Sequence, residues 1–313
     1  MSDEQPKKGS KKKRVVCGLC VAAVWLVAIF LLPIWALAGL IAVSAGVCLY
    51  ELCAMLRKAG YALPFGALAA ATAGWFGLAY WLILRQGVEG LLPLAAAFPI
   101  FVMALFFRVL LDGRVQKPME TAALTAAAFV YIPFMLSFLL PIAMGGAREL
   151  DGTLTHSHSP GIFLAFALIL VTKLSDTGGY FVGTALGRHK MCPRLSPGKS
   201  WEGTVGGYAF SFVGAGLVIG AARLWPDAVC LGAVRALTDS PAAVAWAFLT
   251  VAVIVTVGIC GDLLESLFKR QCGVKDSSAL FPAMGGFFDT FDSIIFVPAT
   301  FLFMAMVGES LLG

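Results

Sequence analysis

The sequence predicts an all-α fold: a polytopic integral membrane helix bundle of about nine transmembrane helices. Of its 313 residues 59% are hydrophobic and only 13% charged, where a soluble domain carries about 25% charged residues. Mean hydropathy is +0.88. Apolar stretches long enough to cross a bilayer follow one another along the chain, joined by short polar loops. Length alone would suggest two domains, but that prior belongs to soluble chains, and one membrane domain is expected.

Residues 1–14 form a basic tail with Lys7, Lys8, Lys11, Lys12, Lys13 and Arg14. Anionic lipid headgroups attract such a tail by about 1 kcal/mol per charge. The run from Val15 to Leu32 resembles a signal peptide, with Ala36-Leu37-Ala38 as a possible cleavage site. It is too long for an ordinary signal core, and more apolar sequence follows at once, so it reads as an uncleaved first helix. Pro33 then separates it from the second as a tight hairpin. The nine predicted spans are 15–32, 34–56, 65–84, 91–107, 121–144, 161–187, 202–222, 242–266 and 286–307. Lys173 and the Ser175-Asp176-Thr177-Gly178-Gly179 stretch predict a break in the sixth. The expected organisation is a basic tail (1–14), N-terminal transmembrane helices (15–160) and a C-terminal transmembrane region (161–313) that carries the polar site.

Basic residues orient the bundle. With these spans the tail, Arg57, Lys58, Arg108, Arg114, Lys117, Arg188, Lys190, Arg194, Lys199, Lys269, Arg270 and Lys275 share one side. Only Arg85, Arg148, Arg223 and Arg235 fall on the other. The positive-inside rule makes the first side, and the N-terminus, cytoplasmic. Asp176, Glu202, Asp262, Glu265, Asp276, Asp289 and Asp292 then gather at inner helix ends or inner loops.

A carboxylate near hydrocarbon costs several kcal/mol, so these acids mark a site facing protein, water or metal. Asp262 and Glu265 are three residues apart, as are Asp289 and Asp292, and each pair shares a helix face. Two acidic pairs on neighbouring helices suit a hard divalent cation such as Mg(2+), which leaves room for phosphate oxygens. Lys269, Arg270 and Lys275 could hold those phosphates. The plainer reading is that the lysines and arginines snorkel and the acids merely pair with them. That leaves Asp289 and Asp292, inside an apolar run, without a reason.

The stretch Ser196-Pro197-Gly198-Lys199-Ser200-Trp201-Glu202-Gly203 contains Gly-Lys-Ser, but Pro193 stands where a P-loop needs glycine. What remains is a loop offering Lys199, hydroxyls and backbone N–H groups to a phosphate. Trp201 alone reads as an interfacial anchor. Cys17 and Cys20 form a CxxC without a second pair, and His156, His158 and His189 lie in polar connections. Neither set makes a convincing metal site.

The run from Ser266 to Asp292 resembles the signature of the phosphatidate cytidylyltransferases, or CDP-diacylglycerol synthases. Ser266, Lys269, Arg270, Lys275, Asp276, Ser278, Phe281, Pro282, Gly285, Gly286, Phe287, Asp289, Phe291 and Asp292 match with every spacing kept. Met284 and Thr290 replace the family's His and Arg. The 196–203 stretch and Asp176-Thr177-Gly178-Gly179-Tyr180 are also similar to family motifs, while before residue 160 only the hydropathic layout is.

The resemblance implies the reaction of CTP with phosphatidate to give CDP-diacylglycerol and pyrophosphate, with Mg(2+) and a monovalent cation such as K(+). For that reaction the residues themselves make Asp262, Asp289, Asp292, Asp276 and Lys275 the catalytic candidates, with Asp262 and Asp289 the leading metal ligands and Asp292 close behind. Substrate contacts are expected from Ser196, Lys199, Glu202, Ser266, Lys269, Arg270 and Asp176, the cations among them, with Lys275, on phosphate. A homodimer in the cell inner (plasma) membrane is expected, with no nucleic-acid partner. An ion-coupled transporter using the intramembrane carboxylates is the alternative from another class, and a catalytically silent scaffold is a third.

Overall fold

The computed structural model describes residues 23–112, 115, 117–145, 160–225, 227–281 and 285–312. The basic tail, the start of the first span, Cys17, Cys20, Arg114, Arg148, His156, His158, Pro282 and Met284 lie outside the described residues.

The chain is a helical membrane protein. The described part of α1 covers residues 23–31, and Pro33 (φ −59°, ψ 150°) separates it from α2 (Ile34–Lys58). Gly60, at φ +89°, lets the chain turn back after α2, with Tyr61 N–H donating to Leu56 O. Helices α3 (Phe65–Gln86) and α4 (Leu91–Leu110) run antiparallel across Gly87, at φ +65°. Trp75 fills their interface, ringed by Phe98, Phe101 and Phe129, and its indole N–H donates to Ser137 Oγ at 2.9 Å. The fifth span is composite. It passes from α5 (Pro118–Phe129) through a π-turn at Val130–Phe134 into α6 (Met135–Ser137) and α7 (Leu139–Met144). Pro133 lacks an N–H, which favours that wider turn.

Helix α8 (Pro160–Leu186) leads into an antiparallel hairpin, β1 (Lys190–Cys192) and β2 (Ser196–Ser200), and then α9 (Trp201–Leu224). Ser200 caps α9 by accepting from Gly203 N–H. The short α10 (Gly232–Ala236) precedes α11 (Pro241–Gln271), capped by Ser240 and ended by Gly273 at φ +66°. A loop then reaches α12 (Phe288–Phe291), a turn over 292–296, and α13 (Val297–Leu312).

Among the described residues six helical runs are long and apolar enough to cross a membrane. One of them, Phe65–Leu110, contains both α3 and α4. The first span is described only in part and α13 is short, so the predicted count of about nine is approximate.

The expected break in the sixth span is absent: α8 is continuous through Lys173 and Gly178-Gly179. The glycines serve helix contact instead. A Cβ on Gly178 would lie 2.5 Å from Gly206 O, and one on Gly206 would strike Val182. Small residues on both helices let the backbones touch, a frequent packing in membranes. The unwound segment falls in the ninth span, at 292–296. Gly261 and Gly258 of α11 press against the Asp292 and Ser293 carbonyls there.

Candidate active site

Four elements build the polar centre. The last turns of α11 project Asp262, Glu265 and Lys269 at spacings of three and four, along one helix face. The break after α12 brings Asp292 and Ser293, α8 brings Lys173 and Asp176, and β2 brings Lys199. Carboxylate oxygens of Asp262, Glu265 and Asp292 lie within 4.8 Å of one another. Glu265 is wholly buried and Asp292 is 8% exposed.

Lysines surround this group. Lys199 Nζ sits 2.9 Å from Asp262 Oδ2 and donates to Ile259 O. Lys269 Nζ bridges Glu265 Oε2 at 2.6 Å and Asp289 Oδ1 at 2.7 Å. Lys173 Nζ donates to Asp176 Oδ2, Thr290 O and Ser293 Oγ, each at 2.9 Å. The Thr290 carbonyl is freed by the short helix, so an ammonium satisfies backbone that lipid could not.

Asp289 is placed differently from Asp292. Its Oδ2 accepts from Gly286 N–H (2.6 Å), Ser277 N–H (3.0 Å) and Ser277 Oγ (2.9 Å), while Oδ1 takes Lys269. Both oxygens are occupied by protein. Glu265 contrasts with it: both oxygens are buried without a well-aligned hydrogen bond, though Lys269 stands within ion-pair reach. The three-carboxylate group therefore contains Glu265 where the sequence reading put Asp289. An all-oxygen set of three carboxylates, two of them beside lysines, has the donor chemistry of a hard divalent cation.

The remaining predicted site residues spread outward. Glu202 accepts from the Arg188 and His189 N–H groups and contacts His189 Nδ1 at 2.6 Å, locking the turn before β1 onto α9. Arg270 is exposed, and its Nε donates to Leu195 O, tying the end of α11 to the hairpin. Ser196 is half-buried on β2 and Ser266 is buried on α11. Lys275 and Asp276 are exposed on the loop after α11.

Sequence reading passed over Lys173 and Glu51 as site residues. Glu51, on α2, is 3% exposed and accepts four hydrogen bonds from the loop that leads to Asp289. Each was visible as a charge inside an apolar span, which is the signal that marks such positions.

Beside the centre lies a cavity of about 520 Å³. Lys173, Asp176, Thr177, Asp289 and Thr290 form its polar corner, and Trp25, Ile29, Phe166 and Ile169 are among its apolar walls.

Fold and site define a multi-pass membrane protein with a carboxylate–lysine centre able to hold a metal ion. Residues 12–307 match the Cytidylyltransferase family, and the chain belongs to it. A relative from Pseudomonas aeruginosa is 33% identical over 239 residues, covering 76% of this chain and 77% of that protein. One from Mycobacterium bovis is 27% identical over 322 aligned positions, covering 93% and 92%. One from Haemophilus influenzae is 37% identical over 161 residues, about half of each protein (51% and 52%). All three are phosphatidate cytidylyltransferases. The transporter alternative finds no support in these relatives.

Proposed function

We propose that this chain is a phosphatidate cytidylyltransferase: an anionic phosphate oxygen of phosphatidate attacks the α-phosphorus of CTP, the bond to the β-phosphate oxygen breaks, and pyrophosphate leaves. The observation that carries this reading is the meeting of Asp262, Glu265 and Asp292 with Lys173, Lys199 and Lys269 inside a membrane bundle of this family. No protein nucleophile is required, so catalysis reduces to positioning and charge stabilisation.

Asp262, Glu265 and Asp292 would hold Mg(2+), and a divalent cation bound there supplies charge neutralisation on the triphosphate. Lys199 and Lys269, already beside those carboxylates, are placed to hold phosphate oxygens. Two anions repel strongly in a partly dry site, so such cations are needed to bring them together. Asp289 orients Lys269. The cavity admits the lipid: its polar corner suits a headgroup phosphate, and its apolar walls suit the start of the acyl chains. In this reading the site faces the cytosol, where CTP is found, from the inner (plasma) membrane, and the enzyme is the homodimer that the resemblance implies.

The test is purified protein with phosphatidate in mixed micelles and CTP labelled at the α-phosphate. Label is expected in the lipid fraction, with one pyrophosphate released per lipid, only when Mg(2+) is present. Folded protein that leaves the lipid unlabelled would overturn the reading.

A further inference from the structure

We infer that Glu51 is a positioning residue of this site: from the second helix it clamps Ser277, Ser278, Phe287 and Phe288, and through them it sets Asp289 and Lys269. The carboxylate is nearly inaccessible, at 3% exposure. Its Oε1 accepts from Ser278 Oγ (2.6 Å) and Phe287 N–H (3.0 Å), and its Oε2 from Ser277 Oγ (2.8 Å) and Phe288 N–H (2.8 Å). All four donors belong to the stretch that also surrounds Asp289.

Ser277 is shared: its N–H reaches Asp289 Oδ2, and its single hydroxyl proton lies between Glu51 Oε2 and Asp289 Oδ2. The backbone is shaped to fit. A Cβ on Gly286 would collide with both Ser277 Oγ and Glu51 Oε2, and one on Gly285, at φ +97°, would collide with Asp289 Oδ2. Holding α2 in the bundle needs no carboxylate, and burying one costs several kcal/mol unless its hydrogen bonds are complete. Here they are complete toward a single segment. From Asp289 the chain of contacts runs to Lys269 and on to Glu265.

The kinetic consequence rests on the cytidylyl-transfer reading above; the clamp itself does not. Glu51→Gln keeps the shape but turns an NH2 donor toward two existing donors. Amide exchange in residues 277–289 is expected to accelerate at least about tenfold, while protected amides of α8 and α9 keep their rates. Turnover should fall about 10- to 100-fold, as for other residues that orient ligands, with KM for phosphatidate within about twofold. Glu51→Asp should recover part of that loss. Glu51→Gln combined with Ser277→Ala should cost scarcely more than the worse single change, because both cut one network.

Unchanged exchange in 277–289 would overturn the clamp. Acceleration spread evenly over all helices would reduce Glu51 to a general stabiliser, and wild-type turnover in Glu51→Gln would remove its link to the chemistry. Should the wild type itself form no CDP-diacylglycerol, the transfer reading fails, and exchange alone decides whether Glu51 clamps the segment.

Discussion

The carboxylates of the centre differ in what already satisfies them. Asp289 has protein donors on both oxygens, whereas Glu265 is buried with neither oxygen well hydrogen-bonded. Removing one partner of a buried charge network is costly, since the others are left uncompensated. Glu265→Gln should therefore raise the Mg(2+) concentration needed for half-maximal turnover by about tenfold or more. Asp289→Asn should lose nearly all turnover, about 100-fold or more, because it releases Lys269, yet leave the Mg(2+) requirement close to that of the wild type. Magnesium titration of both variants checks the assignment, and equal shifts would return Asp289 to the metal. The acids themselves were legible from their spacing. Which of Asp289 and Asp292 joins Asp262 and Glu265 was not, because Ser277, Gly286 and Lys269 hold Asp289 through folded contacts. Glu51 is harder still to place, since its partner Ser277 lies 226 residues away in sequence.

Helix boundaries were legible because local chemistry sets them: Ser200 and Ser240 cap starts, and Gly60 and Gly273 release ends. The glycines of the sixth span misled for a physical reason. A lone glycine costs a helix about 1 kcal/mol against alanine, so a Gly178-Gly179 pair predicts a weak point. A neighbouring helix that needs close approach reverses that inference, and only the folded pair α8–α9 reveals it. The contrast is testable on thermal unfolding in detergent. Gly206→Ala should destabilise by about 1–3 kcal/mol, since the new methyl overlaps Val182. Gly46→Ala, on α2 with nothing within 4 Å of the added carbon, should be neutral or stabilising by up to about 1 kcal/mol. The same sign for both would mean that α8 and α9 do not meet through their glycines.

Contacts between distant loops fix which chain ends share a side of the bundle. Arg270 meets Leu195, so the end of α11 and the hairpin lie together. Glu51, late in α2, meets Ser277 and Phe288. Lys117 stacks over Tyr61, joining the end of α2 to the start of α5. Across the bundle Arg235 donates to the Trp225 carbonyl. In the proposed orientation the excess of Lys and Arg puts the hairpin side in the cytosol. The proposed reaction would need the same orientation, because CTP would have to reach Lys199 and Asp262 from the water that contains it. In a background without native cysteines, Glu89→Cys should react with a membrane-impermeant maleimide in intact cells. Arg194→Cys, exposed on the hairpin, should react only after permeabilisation. The reverse pattern would turn the carboxylate–lysine centre away from its nucleotide, and no rearrangement of side chains could then supply CTP to it.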